Sequence, residues 1–165
     1  MTTGVRRFTV AAFVLLLALA AGASAQSGMP SSMATLWQDG DPGERLELRG
    51  QVLDPTGRPL PGATVLVWQA NGAGVYTEPY RGMMVTDDDG VYVLRTAMPG
   101  NYGGPMHIHM AVQHPTHGSV NARVLFKGDP GLSPDLEQEA VVLDETSIGG
   151  QRVWVGSFDV TIGVH

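Results

Sequence analysis

Residues 101–109 read NYGGPMHIH and place one phenol and two imidazoles just after a Pro-Gly turn. If 107–113 is a strand, residues i and i+2 share a face, so His107 and His109 project together while Ile108 points into the core. His-x-His alone is a weak signal, and a pair of strand histidines on a wet face is the plainer reading of it. Its surroundings add two phenols: Tyr102 lies five residues before His107 in a Gly-rich turn, and Tyr76 ends VWQANGAGVY just past an apolar run. A free phenol ionises near pH 10, so a phenolate ligand at neutral pH needs a strongly charged metal beside it. Two phenolates with two neutral imidazoles favour trivalent iron over zinc or ferrous iron. From spacing alone, the metal set and the wet face both stay open.

Other residues with chemical potential read more plainly. Tyr80 follows Tyr76 by four residues and is a candidate for lining a cleft. Tyr92 sits inside a strand-like run and reads as core; Trp68 and Trp154 read as core or half-buried. His114 and His117 flank a turn, HPTH, and are expected at the surface. Asp87-Asp88-Asp89-Gly90 lacks the ligand spacing and distal glutamate of a calcium loop, and reads as a hairpin turn.

The elements that must position these side chains are short and β-like. LELRGQVLD alternates from Leu46, and residues 63–70, 90–96, 107–113, 120–126 and 152–162 are β-branched or apolar runs. DPTGRPLPG, MPGNYGGP, HPTHG and GDPG punctuate them. SPDLEQEAV is a modest helix candidate, with Ser133 as cap and Pro134 at the first helical position. About seven short strands predict an all-β fold, a two-sheet antiparallel β-sandwich with long connecting loops.

The chain has 165 residues, enough for one domain with a core. Arg6-Arg7, an apolar run over 10–20 and Ala23-Ser-Ala25 have the order of a secretory signal, cleaved after Ala25; the two arginines also permit twin-arginine export. The expected organisation is a signal peptide at 1–25, a flexible lead-in segment at 26–44 and a sandwich domain at 45–165, with an exported, periplasmic or secreted product. Signal removal shifts the net charge from −6 to −8. An acidic chain without a basic stripe is not expected to bind nucleic acid, and no membrane attachment is expected after cleavage. Cysteine is absent, so disulfides and thiolate ligands are excluded.

The chain resembles the intradiol ring-cleavage dioxygenases, the family of protocatechuate 3,4-dioxygenase and catechol 1,2-dioxygenase, from about residue 48 to 162. GQVLDPTGRPLPGATVLVWQANGAGVY is similar to the family's opening sheet and its W-Q-A-N-x-x-G-x-Y signature. VTDDDGVYVLRTAMPGNY, HIHMAV, VLFKGDP and SFDVTI resemble its later segments in order. The resemblance implies a non-haem Fe(III) held by Tyr76, Tyr102, His107 and His109. Tyr102 is implied to leave the metal when a catechol binds. The implied reaction inserts O2 between the hydroxyl-bearing carbons and gives a muconate-type diacid. The implied partners are a catechol-type aromatic and O2, and the family leaves room for a homo-oligomer.

Three departures qualify that expectation. Gly104 stands where the family has an arginine, three residues before the first histidine. Arg123 stands where the family has glutamine, and is the candidate to supply the missing cation at the same site, a surface arginine being the plain alternative. The link from Tyr102 to His107 is short, which is expected to open the cleft unless Met83, Met84 and Met106 refill it. Two other functions compete. One is an iron-binding but catalytically degenerate family member. The other is a transthyretin-like or carboxypeptidase-regulatory-like binding sandwich, which accounts for the first two strands only.

Overall fold

The computed structural model describes residues 31–163, so the expected signal and the start of the lead-in lie outside the described residues. Ten strands and one short helix follow in the order β1 (Met33–Thr35), β2 (Arg45–Leu53), β3 (Thr64–Ala70), β4 (Tyr76–Val85), β5 (Val91–Ala97), β6 (His107–His114), β7 (Gly118–Leu125), α1 (Pro134–Glu139), β8 (Asp144–Ile148), β9 (Gln151–Ser157) and β10 (Val160–Thr161). Two sheets face each other. One has the order β1-β5-β2-β9-β8, with β10 also pairing β2; the other has the order β4-β3-β6-β7. The core lies between them, built from the inward alternates Leu46, Leu48 and Val52 of β2, Val65 and Val67 of β3, and Ile108, Met110 and Val112 of β6, with Phe126 beyond β7. Truncating one such side chain to alanine removes roughly 2–5 kcal/mol. No helix among the described residues is long and apolar enough to cross a membrane.

The two-sheet, all-β expectation holds, with a correction to its strand directions. The β4-β3-β6-β7 sheet is antiparallel throughout. The larger sheet is mixed: β1 runs parallel to β5, and β2 runs parallel to both β9 and β10. Parallel neighbours need a long crossover, and here the second sheet and α1 supply it between β2 and β9. The segment read as a flexible lead-in joins the sandwich from Met33 onward, through β1 and the buried Leu36. The acidic turn at 87–90 is also not a hairpin, because β4 and β5 lie in different sheets. Asp87 Oδ1 accepts the Asp89 and Val91 N–H groups at 3.1 and 2.8 Å and turns the chain from one sheet to the other.

The run at 152–162 is divided. Phe158 turns its carbonyl inward to accept the Tyr92 hydroxyl at 2.5 Å, across Gly50, where any Cβ would overlap that carbonyl. The strand therefore breaks into β9 and β10, while Asp159 Oδ1 accepts the Gln51 N–H at 2.8 Å. The helix starts at Pro134 as expected, although the Ser133 side chain makes no capping bond.

Candidate metal centre

β6 is the middle of the site. Its inward alternates bury Ile108 and Met110, so the opposite alternates His107 and His109 both face outward at the strand's first turn. His107 is nonetheless only 9% exposed. Its Nδ1–H donates to the Pro105 carbonyl at 2.8 Å, which leaves the Nε2 lone pair free and aimed into the site. His109 lies flat against Trp68 of β3, with ring centroids 5.0 Å apart and planes 6° from parallel. Trp68 and His109 are cross-strand partners, so this stack follows from register.

Two loops bring the phenols. Tyr76 opens β4, opposite Ala70, and the register then slips so that Arg81 pairs Trp68. Residues 77–80 form the resulting bulge and include Pro79, which has no N–H to give a ladder. The loop before Tyr76 is wound on Asn71, whose Oδ1 accepts the Ala73 and Val75 N–H groups and whose carbonyl accepts those of Gly74 and Gly100. The Gly100 bond ties the two tyrosine loops together. Their approach requires glycine: a Cβ on Gly74, at φ 78°, would sit 2.6 Å from the Asn101 carbonyl oxygen, and one on Gly100 would overlap the Gly72 and Gly74 backbone.

The four donor atoms close a ring. Tyr76 Oη lies 2.7 Å from Tyr102 Oη, Tyr102 Oη 2.7 Å from His107 Nε2, His107 Nε2 3.0 Å from His109 Nε2, and His109 Nε2 3.1 Å from Tyr76 Oη. Hydrogen bonds alone serve this ring poorly. His107 Nε2 has a single lone pair, and two neighbours compete for it. A cation among the four atoms uses one lone pair from each, and such edges suit neighbouring ligands with bonds of about 2 Å. Among the described residues no three His, Asp or Glu side chains cluster, so the phenols are needed to complete a donor set.

Electrostatics fit a highly charged ion. Burial, then the bond to Tyr102, pushes the Tyr76 phenol up to about 12, so only a strong Lewis acid displaces its proton. Burial, with the nearby charges of His107 and Arg123, pulls His109 below the usual imidazole value and keeps it neutral, as a ligand must be. The donor set of two hard oxygens and two imidazoles therefore fits ferric iron, which Tyr76, Tyr102, His107 and His109 would hold.

The other candidates separate. Tyr80 lines a depression with Trp68 and Tyr76, though not as a free phenol. It is buried, and its hydroxyl donates to Asp41 Oδ2 at 2.6 Å. Met84 is core and cannot refill the site, while Met83 is exposed. Tyr76 and Tyr102 are 46% and 42% exposed, consistent with an open cleft. Arg123 of β7 is the cross-strand partner of His109 and lines an open depression with Trp68, His109 and Asn121. Among the described residues it forms no ion pair. A Cβ at Gly104 meets nothing within 4 Å, so the missing arginine leaves open space.

Sequence reasoning does not identify the supports. Asp129, within GDP, is buried and accepts the Met106 N–H at 2.5 Å and the Gly131 N–H at 2.8 Å, which fixes the backbone beside His107. Gln69 spans the sheets: its Nε2 donates to the Ala97 carbonyl at 2.8 Å, and its Oε1 accepts from Thr96 at 3.0 Å. An acid inside a Gly-Pro turn and a glutamine inside an apolar strand are the only sequence signals for these roles.

A family model described as Dioxygenase matches residues 22–106. The chain is 31% identical over 140 residues to catechol 1,2-dioxygenase of Pseudomonas sp. (strain EST1001), covering 67% of this chain and 46% of that one. It is 34% identical over 121 residues to the protocatechuate 3,4-dioxygenase beta chain of Burkholderia cepacia, covering 59% and 52%. Among solved structures, catechol 1,2-dioxygenase from Pseudomonas arvilla C-1 aligns with a TM-score of 0.74 at 27% identity, over 83% of this chain and 58% of that one. The dioxygenase domain of a dioxygenase carbohydrate-binding protein fusion from Streptomyces sp. SirexAA-E aligns with a TM-score of 0.65 at 30% identity, over 82% and 89%. These likenesses define a chain of the dioxygenase family with a β-sandwich fold. The chain belongs to the intradiol ring-cleavage dioxygenases, and it spans about half the length of the curated relatives it matches.

Proposed function

We propose that this chain is an exported ferric dioxygenase that cleaves catechol-type rings between the two hydroxyl-bearing carbons and yields a muconate-type diacid. Both atoms of O2 enter the product, so the overall reaction needs no external reductant. The observation that carries the reading is the closed ring of two phenol oxygens and two imidazole nitrogens at 2.7–3.1 Å. When bound, ferric iron supplies Lewis acidity and an electron-accepting centre for the catecholate.

The chain's own residues have distinct parts. His107 and His109 are held on a rigid strand, by the Pro105 carbonyl and the Trp68 face, and stay fixed during turnover. Tyr102 sits outside any strand, between Asn101 and Gly103, and is the donor able to swing away. Its Oη would be the atom that takes up a catechol hydroxyl proton when the ring binds. Arg123 acts as a catalytic residue in place of the cation absent at Gly104 and stabilises the anionic ring electrostatically. Its cross-strand position beside His109 supports that role. The exposure of both tyrosines favours rings that carry bulky substituents.

The test is colour and oxygen uptake. Purified protein loaded with ferric ion is expected to show a red-to-brown phenolate charge-transfer band and to consume one O2 per catechol. A protein that stays colourless after loading sinks the proposal. Colour without uptake across a catechol panel leaves an iron-binding member without ring cleavage.

A further inference from the structure

The far end of β6 carries a second pair of imidazoles, which the sequence suggests only as surface residues of a turn. His114 is the last residue of β6, and His117 immediately precedes β7, whose Gly118 takes φ 84° to close the turn. The turn folds the two rings edge to face, with centroids 4.7 Å apart and planes at 72°. Their Nδ1 atoms lie 3.0 Å apart. Thr116 Oγ1 lies 2.9 Å from His117 Nδ1 and 3.2 Å from His114 Nδ1, so three donor atoms form one triangle.

Protonation makes the triangle informative. His114 Nε2 lies 3.2 Å from the Pro61 carbonyl oxygen, which can only accept, so the ring proton belongs on Nε2 and the Nδ1 lone pair faces inward. That is the usual outer support of a metal-bound histidine, a backbone carbonyl taking the distal N–H. The Thr116 N–H also meets this lone pair, at a long 3.3 Å. His117 Nδ1 meets that lone pair at 3.0 Å, in one tautomer with its own N–H and in the other with a second lone pair, and in the second tautomer a cation between the two nitrogens uses both lone pairs. The strand from His109 to His114 separates this triangle from the phenol-containing ring by roughly 17 Å.

We propose that His114, His117 and Thr116 form a second metal site, for a borderline transition-metal dication such as Zn2+ or Cu2+. Imidazole nitrogens select these over Ca2+ and Mg2+, which prefer oxygen cages. Water completes the coordination, because the turn is open to solvent. A bound ion ties the β6–β7 turn, through His114, to the β2–β3 turn at Pro61. The site is independent of the ferric reading, since it shares no residue with that centre.

The experiment compares wild-type protein with His117→Asn by Zn2+ calorimetry, with histidine ring carbon–proton NMR signals followed in parallel. Among the described residues the His117 side chain hydrogen-bonds Thr116 and His114 of its own turn, so the variant is expected to keep the fold. Wild type is expected to take up one more equivalent of Zn2+ than His117→Asn, with the His114 and His117 signals shifting together. Zn2+ at a hundredfold excess over Kd is expected to raise the wild-type Tm by roughly 8 °C, and the variant's Tm by less. Thr116→Val is expected to weaken binding about tenfold. Equal uptake by wild type and His117→Asn, or unmoved His114 and His117 signals, overturns the proposal, whatever happens to iron.

Discussion

The two ends of β6 solve a similar problem with different materials. At each end a histidine gives its outer N–H to the carbonyl of a proline, Pro105 or Pro61, and turns its other nitrogen towards a second histidine. What differs is the company. At 107–109 two phenols from separate loops complete a four-atom ring; at 114–117 one hydroxyl from the same turn completes a triangle. The first donor set suits a trivalent ion and requires distant parts of the chain to meet. The second suits a borderline dication and is assembled by four consecutive residues. In both readings the imidazole pair sets the location, and its oxygen neighbours would select the ion.

The largest effect expected from breaking this contrast is at His107. His107→Ala should lower bound ferric iron and kcat by at least ~100-fold, read by the charge-transfer band and oxygen uptake. It should leave the Zn2+ equivalent assigned to the other end. Loss of both metals together would show the two ends to be one cooperative unit.

The phenols depend on glycine contacts, so Gly100→Ala should act at a distance. Its Cβ overlaps the loop that carries Tyr76, and a displacement of about 1 Å there is expected to cut kcat/KM on the order of 100-fold. A smaller change is expected from Arg123→Gln, about tenfold in kcat, because the depression is open to water and charge is screened there. Gly104→Arg in that background should recover part of the loss, since the position has open space. No loss in Arg123→Gln would return Arg123 to an ordinary surface residue.

Much of this was readable in the sequence, for physical reasons. His107 and His109 follow from the two-residue period of a strand, and Tyr76 and Tyr102 from signatures whose glycines have now acquired a steric role. β4 was not readable: YTEPYRGMMV has a proline, a glycine and four exposed leading residues, because it is an edge strand with a bulge. β8 is exposed along its whole length and shows no alternation. The parallel pairing of β2 with β9 leaves no local pattern, since it is set by closure of the whole sandwich. The triangle at 114–117 was hidden because HPTH specifies a turn, whereas ring orientation depends on the Pro61 carbonyl.

The smallest effect belongs outside both donor sets and gives a baseline for fold stability. The Asp54 carboxylate accepts the Thr56 N–H and hydroxyl and the Arg58 N–H, and also pairs the Arg58 guanidinium. Led by the Thr56 hydroxyl bond, these contacts hold its carboxyl well below the usual carboxylate range. A depressed folded value means the stabilisation is full above about pH 4 and fades as pH falls towards the folded value. Asp54→Asn should therefore lower Tm at pH 7, and the gap to wild type should narrow steadily below about pH 4. A gap that stays constant with pH would assign the effect to shape rather than charge.

The parallel seam between β2 and β9 also sets an order in time. Its residues lie about a hundred positions apart, as the Gln51–Asp159 separation of 108 shows for the adjoining contact. All four donors of the phenol-containing ring, by contrast, fall between Tyr76 and His109. Pairings of high sequence separation form late, and an unpaired strand edge invites association with other chains. The smaller sheet and its donor ring can therefore be complete while β2 still waits for its partner. During that interval the vulnerable feature of the chain is the open flank of β2.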